Sequence, residues 1–331
     1  MNILITGACG FVGTVLTTRL LEDGHHIIGV DTQWFGNHLQ SHPRLTLLKQ
    51  DTREVDRIPL RGVEAVIHLA NIANDPGVEM SPVLSWEVNV LATQQLADRA
   101  VRAGVKQFIF ASSGSVYGVK DDPQVTEDLE LVPISAYNKT KMVAERVVMS
   151  YADVMTTTII RPATVCGYSP RMRLDLTVNL LTMQALSKGI ITVLGGEQTR
   201  PNIHIDDLVD LYLFAFDRRL AGLYNAGFEN LKVREIAERI AAVVPAEIKV
   251  LPSNDPRSYS VCSDRLLATG FRPRRDVATA IRDIVDAYRE GRLKDEPAAY
   301  NVGWMKQHNF GLCFGCSCPW RASPRSSCCH W

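Results

Sequence analysis

Near the amino terminus, residues 2–13 read NILITGACGFVG. The apolar and β-branched run within Asn2–Thr6 predicts a buried strand, and Phe11–Leu21 carries apolar residues at helical spacing. Between them, Gly7 permits a tight turn, Gly10 lets the backbone approach a diphosphate, and Gly13 lets helix and strand pack closely. The amide groups at a helix amino terminus attract anions. The stretch therefore predicts a diphosphate-binding loop that joins a first strand to a first helix.

The rest of the first half alternates short apolar runs with helical patterns, which is typical of an α/β protein with a Rossmann-type, doubly wound parallel sheet. Further strands are predicted at His26–Val30, Leu45–Lys49, Glu64–Leu69, Lys106–Phe110 and Thr156–Arg161. Helices are predicted at Pro82–Ala103, Ser135–Tyr151, Leu174–Lys188, Ile205–Phe216, Val233–Val244 and Val277–Arg289, with strands at Ile190–Leu194 and Ile248–Leu251.

Three regions follow from this pattern. Residues 1–165 form a dinucleotide-binding domain, which we expect residues 203–226 to rejoin. Residues 166–202 and 227–300 form a smaller α/β substrate lobe. From residue 301 to residue 331 the chain shows no periodicity and is rich in cysteine, so we predict an irregular tail.

Composition excludes several classes of protein. The 331 residues carry 36 basic and 36 acidic side chains, which gives no electrostatic reason to expect a nucleic-acid partner. No apolar run reaches the ~20 residues of a membrane helix, and the chain opens on a strand pattern, so we expect no membrane association and a cytoplasmic location. The cysteines of the tail have no standard zinc spacing, so we predict no metal site and a dispensable segment 308–331.

A carboxylate ends the second predicted strand. Asp31 follows the glycine loop at about the twenty-residue distance at which an acidic residue binds the ribose hydroxyls of NAD. It would repel the 2′-phosphate of NADP, and no arginine directly follows it. We therefore predict NAD as the cofactor.

A second group of residues suggests acid–base chemistry. Tyr137 and Lys141 share one face of a predicted helix, because they lie four residues apart. A phenol has an ordinary pKa of about 10, and a neighbouring ammonium lowers it by stabilising the phenolate. Ser113 follows a predicted strand, so its hydroxyl can bind the same substrate oxygen. Such a group can take a proton from a hydroxyl while hydride leaves.

In these motifs the chain resembles the extended short-chain dehydrogenase/reductase superfamily, and within it the NAD-dependent nucleotide-sugar epimerase/dehydratase family. The resemblance covers residues 1–300, in the family's motif order. It rests on Gly7–Gly13, Asp31, Asp51, His68-Leu69-Ala70, Asn89, Ser112–Gly118, Tyr137–Lys141 and Arg161-Pro162.

The resemblance implies roles for individual residues. Tyr137 is expected to be the acid/base, Lys141 to tune it and bind the cofactor ribose, and Ser113 to assist. The remaining cofactor contacts implied are Gly7, Gly10, Phe11, Val12, Gly13, Asp31, Asp51, Thr52, Leu69, Ala70 and Asn89. The substrate contacts implied, for a nucleotide-diphosphate sugar, are Ser115, Asn179, Arg200 and Arg257, since guanidinium groups pair with phosphate oxygens.

The reaction is narrowed by a departure from the family pattern. Dehydratases of this family carry Asp-Glu after the catalytic hydroxyl residue, where this chain has Gly114 and Ser115. We therefore expect a nucleotide-sugar epimerase that oxidises C4 and returns the hydride. An NAD(P)H-dependent 4-keto-sugar reductase or dehydrogenase is the alternative. A 4,6-dehydratase and a non-catalytic NAD-binding protein are disfavoured.

Two expectations concern the setting of the enzyme. The stretches Asp31–Phe35 and Trp86–Asn89 resemble proteins of surface-polysaccharide and antibiotic-sugar pathways, so we expect a role in surface-glycan or related sugar biosynthesis. Helices 82–103 and 135–151 carry apolar residues on more than one side, which predicts a homodimer that buries them.

Overall fold

The structure is a computed structural model, and it describes residues 1–120, 124–253 and 258–310. Twelve strands are present within these ranges. They are β1 Asn2–Thr6, β2 His26–Asp31, β3 Leu45–Lys49, β4 Ala65–His68, β5 Gln107–Ala111, β6 Thr156–Pro162, β7 Thr164–Cys166, β8 Ile190–Leu194, β9 Thr199–His204, β10 Gly222–Ala226, β11 Glu229–Lys232 and β12 Glu247–Leu251.

Eleven α-helices accompany the strands within the same described ranges. They are α1 Phe11–Glu22, α2 Asp75–Met80, α3 Pro82–Trp86, α4 Ala92–Arg102, α5 Ala136–Met149, α6 Thr177–Lys188, α7 Ile205–Arg218, α8 Val233–Val243, α9 Asp264–Ala268, α10 Val277–Arg289 and α11 Asn301–Gln307. A π-helical turn, Glu87–Leu91, joins α3 to α4. Short 3₁₀ turns lie at Val55–Arg57, Gly114–Tyr117 and Pro297–Ala299.

Seven strands form one parallel sheet in the order β10-β6-β5-β4-β1-β2-β3. Successive side chains of a strand point to opposite faces, so Ile3 and Ile5 enter one core with α1 and α7, while Leu4 enters the other with α4 and α5. Both faces are thus covered. The predicted doubly wound parallel sheet is confirmed.

The remaining strands form two smaller sheets. In the first, β9 pairs with β7 in parallel and with β11 in antiparallel orientation, and in the second β8 pairs in parallel with β12. Helices α6, α8 and α10 share a separate apolar core with these strands. Helix α7 and strand β10 belong to the layers of the large sheet. We therefore propose the two predicted units: residues 1–165 with 203–226 form the cofactor-binding domain, and residues 166–202 with 227–300 form the smaller lobe.

Several boundaries differ from the sequence predictions. The segment predicted to be irregular from residue 301 begins with helix α11, whose Met305 is buried at 4% exposure, so this part of the prediction was wrong. The predicted helix 82–103 is interrupted by the π turn. Strands β7, β9, β10 and β11 were not predicted, because their sequences show neither a continuous apolar run nor a clear alternation of apolar and polar residues. Within the described part of the chain, each helix is too short or too polar to cross a lipid bilayer.

Candidate cofactor and active site

A cavity of about 500 Å³ lies at the carboxyl ends of β1, β2, β4, β5 and β6, where ligands bind in open α/β sheets. Most of the predicted site residues line it: Gly7, Gly10, Phe11, Val12, Gly13, Asp31, Asp51, Thr52, Leu69, Ala70, Ser113, Ser115, Tyr137 and Arg200. Arg257 lies outside the described residues. The residues predicted to contact cofactor and substrate are therefore largely brought together in one cavity.

The glycine loop is packed so tightly that side chains have no room. Gly7 has a φ of +73°, and a Cβ atom added to it would lie 2.8 Å from the amide nitrogen of Ala70. A Cβ atom on Gly13 would lie 2.0 Å from the carbonyl oxygen of Gly7. Gly10 and Phe11 line the cavity, so the positive end of α1 faces it, and in the described part of the chain no side chain caps this end and no acidic residue lies in its first turn. This arrangement fits a diphosphate.

Asp31 ends β2 at the wall of the cavity. Its carboxylate accepts hydrogen bonds from the amides of Cys9, at 3.0 Å, and Gln33, at 2.7 Å. Burial raises the pKa of Asp31, and these two hydrogen bonds and the charge of Arg171 act against that rise. Asp51 is held differently, because its carboxylate forms an ion pair of 2.9 Å with the guanidinium of Arg53.

Tyr137 and Ser113 meet at the cavity surface and share a hydrogen bond. The hydroxyl oxygens of Ser113 and Ser115 are 2.8 Å apart, which extends this chain of hydroxyl groups. Burial raises the pKa of Tyr137 to about 12, although the hydrogen bond from Ser113 and the charge of Arg173 lower it. The phenol is therefore protonated at neutral pH in this structure.

Lys141 departs from the expected arrangement. Its ammonium donates a hydrogen bond of 2.7 Å to the carbonyl oxygen of Ala111 and lies 4.9 Å from the centre of the Phe110 ring. It does not line the cavity, and burial lowers its pKa to about 7 against the opposing charge of Glu145. The expected lowering of the Tyr137 pKa by Lys141 is not observed in this structure, since the ammonium is directed to the backbone.

A buried ionic network supports the turn that carries Ser113. Arg161 forms an ion pair with Glu145 at 2.7 Å, and Glu145 also accepts a hydrogen bond from Ser112. Arg161 donates to the Tyr117 hydroxyl oxygen, and Tyr117 donates to the Asn225 side chain, each at 2.7 Å. The network links β5, α5, β6 and β10, and so positions the serine turn over the sheet.

Two asparagines predicted to touch ligands do not line the cavity. The Asn89 side chain bonds the backbone of Ile72 and the hydroxyl of Thr140. The Asn179 side chain accepts from the amide of Gly167 at 3.0 Å and donates to the carbonyl of Arg173 at 2.9 Å. Both asparagines therefore brace loops that border the cavity.

A charged cluster beside Tyr137 was not predicted from the sequence. Asp75 lines the cavity, accepts a hydrogen bond from Ser135, and acts to raise the pKa of Tyr137. Arg173 and Asp175 also line the cavity and form a two-point ion pair at 2.9 and 3.0 Å. The sequence contains two signals of this cluster. The turn Asn-Asp-Pro, which carries a charged residue, follows β4, and charged residues alternate with apolar ones over residues 171–175.

Comparison with known proteins agrees with this geometry. The model of the NAD dependent epimerase/dehydratase family matches residues 3–227, and the chain belongs to this family. An uncharacterised UDP-glucose epimerase of Bacillus subtilis, YtcB, is 33% identical over 229 residues, covering 63% of this chain and 70% of that protein. A UDP-glucose 4-epimerase of Mycolicibacterium smegmatis is 30% identical over 312 residues, covering 87% of this chain and 99% of that protein.

A solved structure supports the same conclusion. MoeE5 in complex with UDP-glucuronic acid and NAD superimposes with a TM-score of 0.78 at 26% identity, covering 88% of this chain and 100% of that chain. The protein is thus an NAD-dependent enzyme of a family that acts on nucleotide sugars. The glycine loop, the uncapped end of α1 and Asp31 are the residues that would hold NAD.

Proposed function

We propose that the protein is an NAD-dependent nucleotide-sugar epimerase, which oxidises C4 of the sugar and returns the hydride to the opposite face. The observation that carries this proposal is the hydrogen-bonded pair of Tyr137 and Ser113 on the cavity that also holds the glycine loop. Proteins named UDP-glucose 4-epimerase are among its relatives. We propose a role in surface-glycan or related sugar synthesis in the cytoplasm.

The protein's own residues would bind, orient and move one proton. Bound NAD would supply the hydride acceptor and the positive charge of its nicotinamide ring. Once the charge of bound NAD has lowered the pKa of Tyr137 and the phenol has lost its proton, a sugar hydroxyl joined to Tyr137 and Ser113 can pass its proton to the phenolate oxygen, and the resulting phenol can return it. We propose that Arg200 pairs with the nucleotide diphosphate, together with Arg257. Ser115 extends the hydroxyl chain towards the sugar.

A second candidate reaction comes from Asp75. Neither Gly114 nor Ser115 can perform the acid–base step of dehydration, and this favours epimerisation. Asp75, however, places a carboxylate on the same cavity, so dehydration stays a candidate. A 4-keto-sugar reductase uses every residue of the proposed epimerase and differs in its demand for external cofactor.

The test is a mass-resolved product assay with UDP-, GDP-, CDP- and dTDP-sugars, with and without added NAD or NADH. We expect a product of unchanged mass that separates from its substrate and forms without added cofactor. A product that differs by two hydrogens and needs added cofactor would show a reductase or dehydrogenase. Loss of water would show a dehydratase, and Asp75→Asn should then abolish it.

Substitution of the tyrosine tests the assigned chemistry. We expect Tyr137→Phe to slow turnover by roughly 10²–10⁴-fold, the usual contribution of a general acid–base residue, while bound NAD is retained. Tyr151→Phe is the matched control, because Tyr151 lies just beyond the far end of α5, away from the cavity. Equal rates for the two variants would contradict the role of Tyr137.

A further inference from the structure

The last described residues pack against the loop that follows Asp31. The indole nitrogen of Trp304, in α11, donates a hydrogen bond of 2.7 Å to the carbonyl oxygen of Trp34. The Phe310 ring stacks on the Trp34 ring, with centroids 5.0 Å apart and planes 8° apart. Met305 is buried in the same apolar cluster. The end of the described chain is thus joined to a loop near its beginning.

A buried arginine connects this contact to the cavity. Arg171 is 3% exposed, donates a hydrogen bond of 2.6 Å to the side-chain oxygen of Asn301, and lies 4.2 Å from the centre of the Phe35 ring. Arg171, Asn301 and Phe35 all line the cavity that contains the glycine loop and Asp31. Asn301 is therefore both a wall of the cavity and a partner of its arginine.

The guanidinium of Arg171 has capacity left for a ligand. One terminal nitrogen bonds Asn301 and the other bonds the carbonyl of Met172, but the Nε atom is buried with no hydrogen-bond partner among residues 1–120, 124–253 and 258–310. A buried donor of a cation that lacks an acceptor is costly. An anionic group in the cavity would satisfy it, and Arg171 already acts on the carboxylate of Asp31.

We propose that α11 and the residues up to Phe310 form a clasp that retains NAD. Asn301 holds Arg171 towards the diphosphate of the cofactor, and Trp304 with Phe310 holds the loop of residues 32–36 as the cavity wall beside Asp31. The cofactor class required is an anionic dinucleotide. This inference rests on the NAD dependence of the family and not on the proposed epimerase reaction.

The clasp acts on the rate at which NAD leaves. The loop after Asp31 contains Gln33 and Gly36 with positive φ angles, 56° and 88°. Loops of this kind open locally at low cost. Because α11 packs on the loop, opening requires that the clasp be undone first, and ligand dissociation slows accordingly.

The test measures NAD dissociation from the full chain. Trp304→Phe removes the indole donor and keeps an aromatic ring, whereas Asn301→Ala removes the partner of Arg171. Gln307→Ala is the matched control, because Gln307 is exposed on the same helix. Protein loaded with radiolabelled NAD is chased with unlabelled NAD, and NAD content after gel filtration is measured in parallel.

We expect dissociation roughly tenfold faster for Trp304→Phe and at least as fast for Asn301→Ala, the size expected when a hydrogen bond is lost. The control should match the unaltered protein, and Trp304→Phe should leave turnover at saturating NAD unchanged, because Trp304 does not line the cavity. Melting of the NAD-free variants is measured separately. A lower melting temperature with an unaltered NAD dissociation rate would overturn the clasp and leave α11 a purely structural element.

Failure of the proposed reaction is a separate result. If no sugar nucleotide is converted while the variants still release NAD faster, the clasp stands and the epimerase proposal falls. If Asn301→Ala does not fold, Trp304→Phe decides the matter, because it keeps an aromatic ring at a position that is only partly buried.

Discussion

At the residue scale, several ionisable groups are held in unusual states beneath the cavity. His68 is fully enclosed between the hydroxyl oxygens of Thr6, at 2.6 Å, and Thr93, at 2.9 Å. Burial, and secondarily the charge of Lys141, lowers its pKa to about 3. The imidazole is therefore neutral, and it ties β1 and β4 to α4 without adding a charge beside the cofactor.

This state makes stability sensitive to acid. Between pH 6.5 and pH 3 the unfolded chain binds a proton at His68 and the folded chain does not, so the free energy of unfolding falls as the pH falls. The loss is up to about 1.4 kcal/mol per pH unit, or about 2 kcal/mol between pH 6.5 and pH 5. We expect His68→Gln to remove this slope, measured by urea unfolding across the range.

The matched control is His26→Gln, because His26 is exposed at the start of β2. It should keep the slope of the unaltered protein. The absolute stability of His68→Gln at pH 7 is not the readout, since losing two hydrogen bonds lowers it in any case. An unchanged slope would mean that His68 is protonated in the folded state.

Much of the site could be predicted at this scale, but only where function follows a local pattern. Glycine spacing predicted the loop, and Ser113 and Tyr137 lie together as expected. Arg171 and Asp75 were missed because Arg171 lies on a loop and Asp75 begins the short helix α2, and the positions of both depend on distant packing. The pKa of Lys141 could not be predicted either, since it depends on burial and not on the four-residue spacing.

At the element scale, the unit β1–loop–α1 is the most tightly constrained part of the cofactor site. Its glycines are required by distances between backbone atoms and not by flexibility alone. The long buried strands were predictable because each is an apolar run. Helix α11 was not predictable, because its seven residues show no periodic pattern of apolar residues and its burial comes from contact with the loop after Asp31.

A single added methyl group tests this constraint. A Cβ atom on Gly13 would lie 2.0 Å from the carbonyl oxygen of Gly7, so the backbone must shift. We expect Gly13→Ala to lower the free energy of unfolding by about 1–3 kcal/mol, as overpacking does, and to abolish NAD binding. Calorimetry and NAD titration measure the two effects.

Gly303→Ala is the matched control, because Gly303 is also helical and an added Cβ atom meets nothing within 4 Å among the described residues. Alanine is favoured over glycine inside a helix, so this variant should be more stable by about 0.5–1 kcal/mol. Similar destabilisation in both variants would show that the close approach of Gly13 to Gly7 is not what matters.

At the scale of the whole molecule, two neighbouring helical segments leave apolar side chains uncovered. Val83 is 72% exposed, Leu91 52%, Met149 41% and Trp86 39%. Exposed apolar side chains on neighbouring helical segments are typical of interaction sites. We propose that two copies of the chain meet on α3, α4 and α5, as the two-sided apolar pattern of these helices predicts.

Light scattering after gel filtration tests this assembly. We expect a mass twice the 36.8 kDa of one chain, and a single-chain mass for Leu91→Asp, because a buried unpaired carboxylate is costly at an interface. Val250→Asp is the control, since Val250 is exposed on β12, away from these helices, and it should leave the mass unchanged. A single-chain mass for the unaltered protein at micromolar concentration would refute the proposal.

The contact of α11 with the loop after Asp31 has a consequence for synthesis. The glycine loop and Asp31 leave the ribosome early, but Asn301 and Trp304 are made some 270 residues later. At about 5–20 residues per second, that interval lasts on the order of ten seconds or more. A nascent chain can thus fold its first strands and helices, yet its cofactor cavity has an open wall until α11 has been made. Firm capture of NAD is therefore expected to follow synthesis of α11.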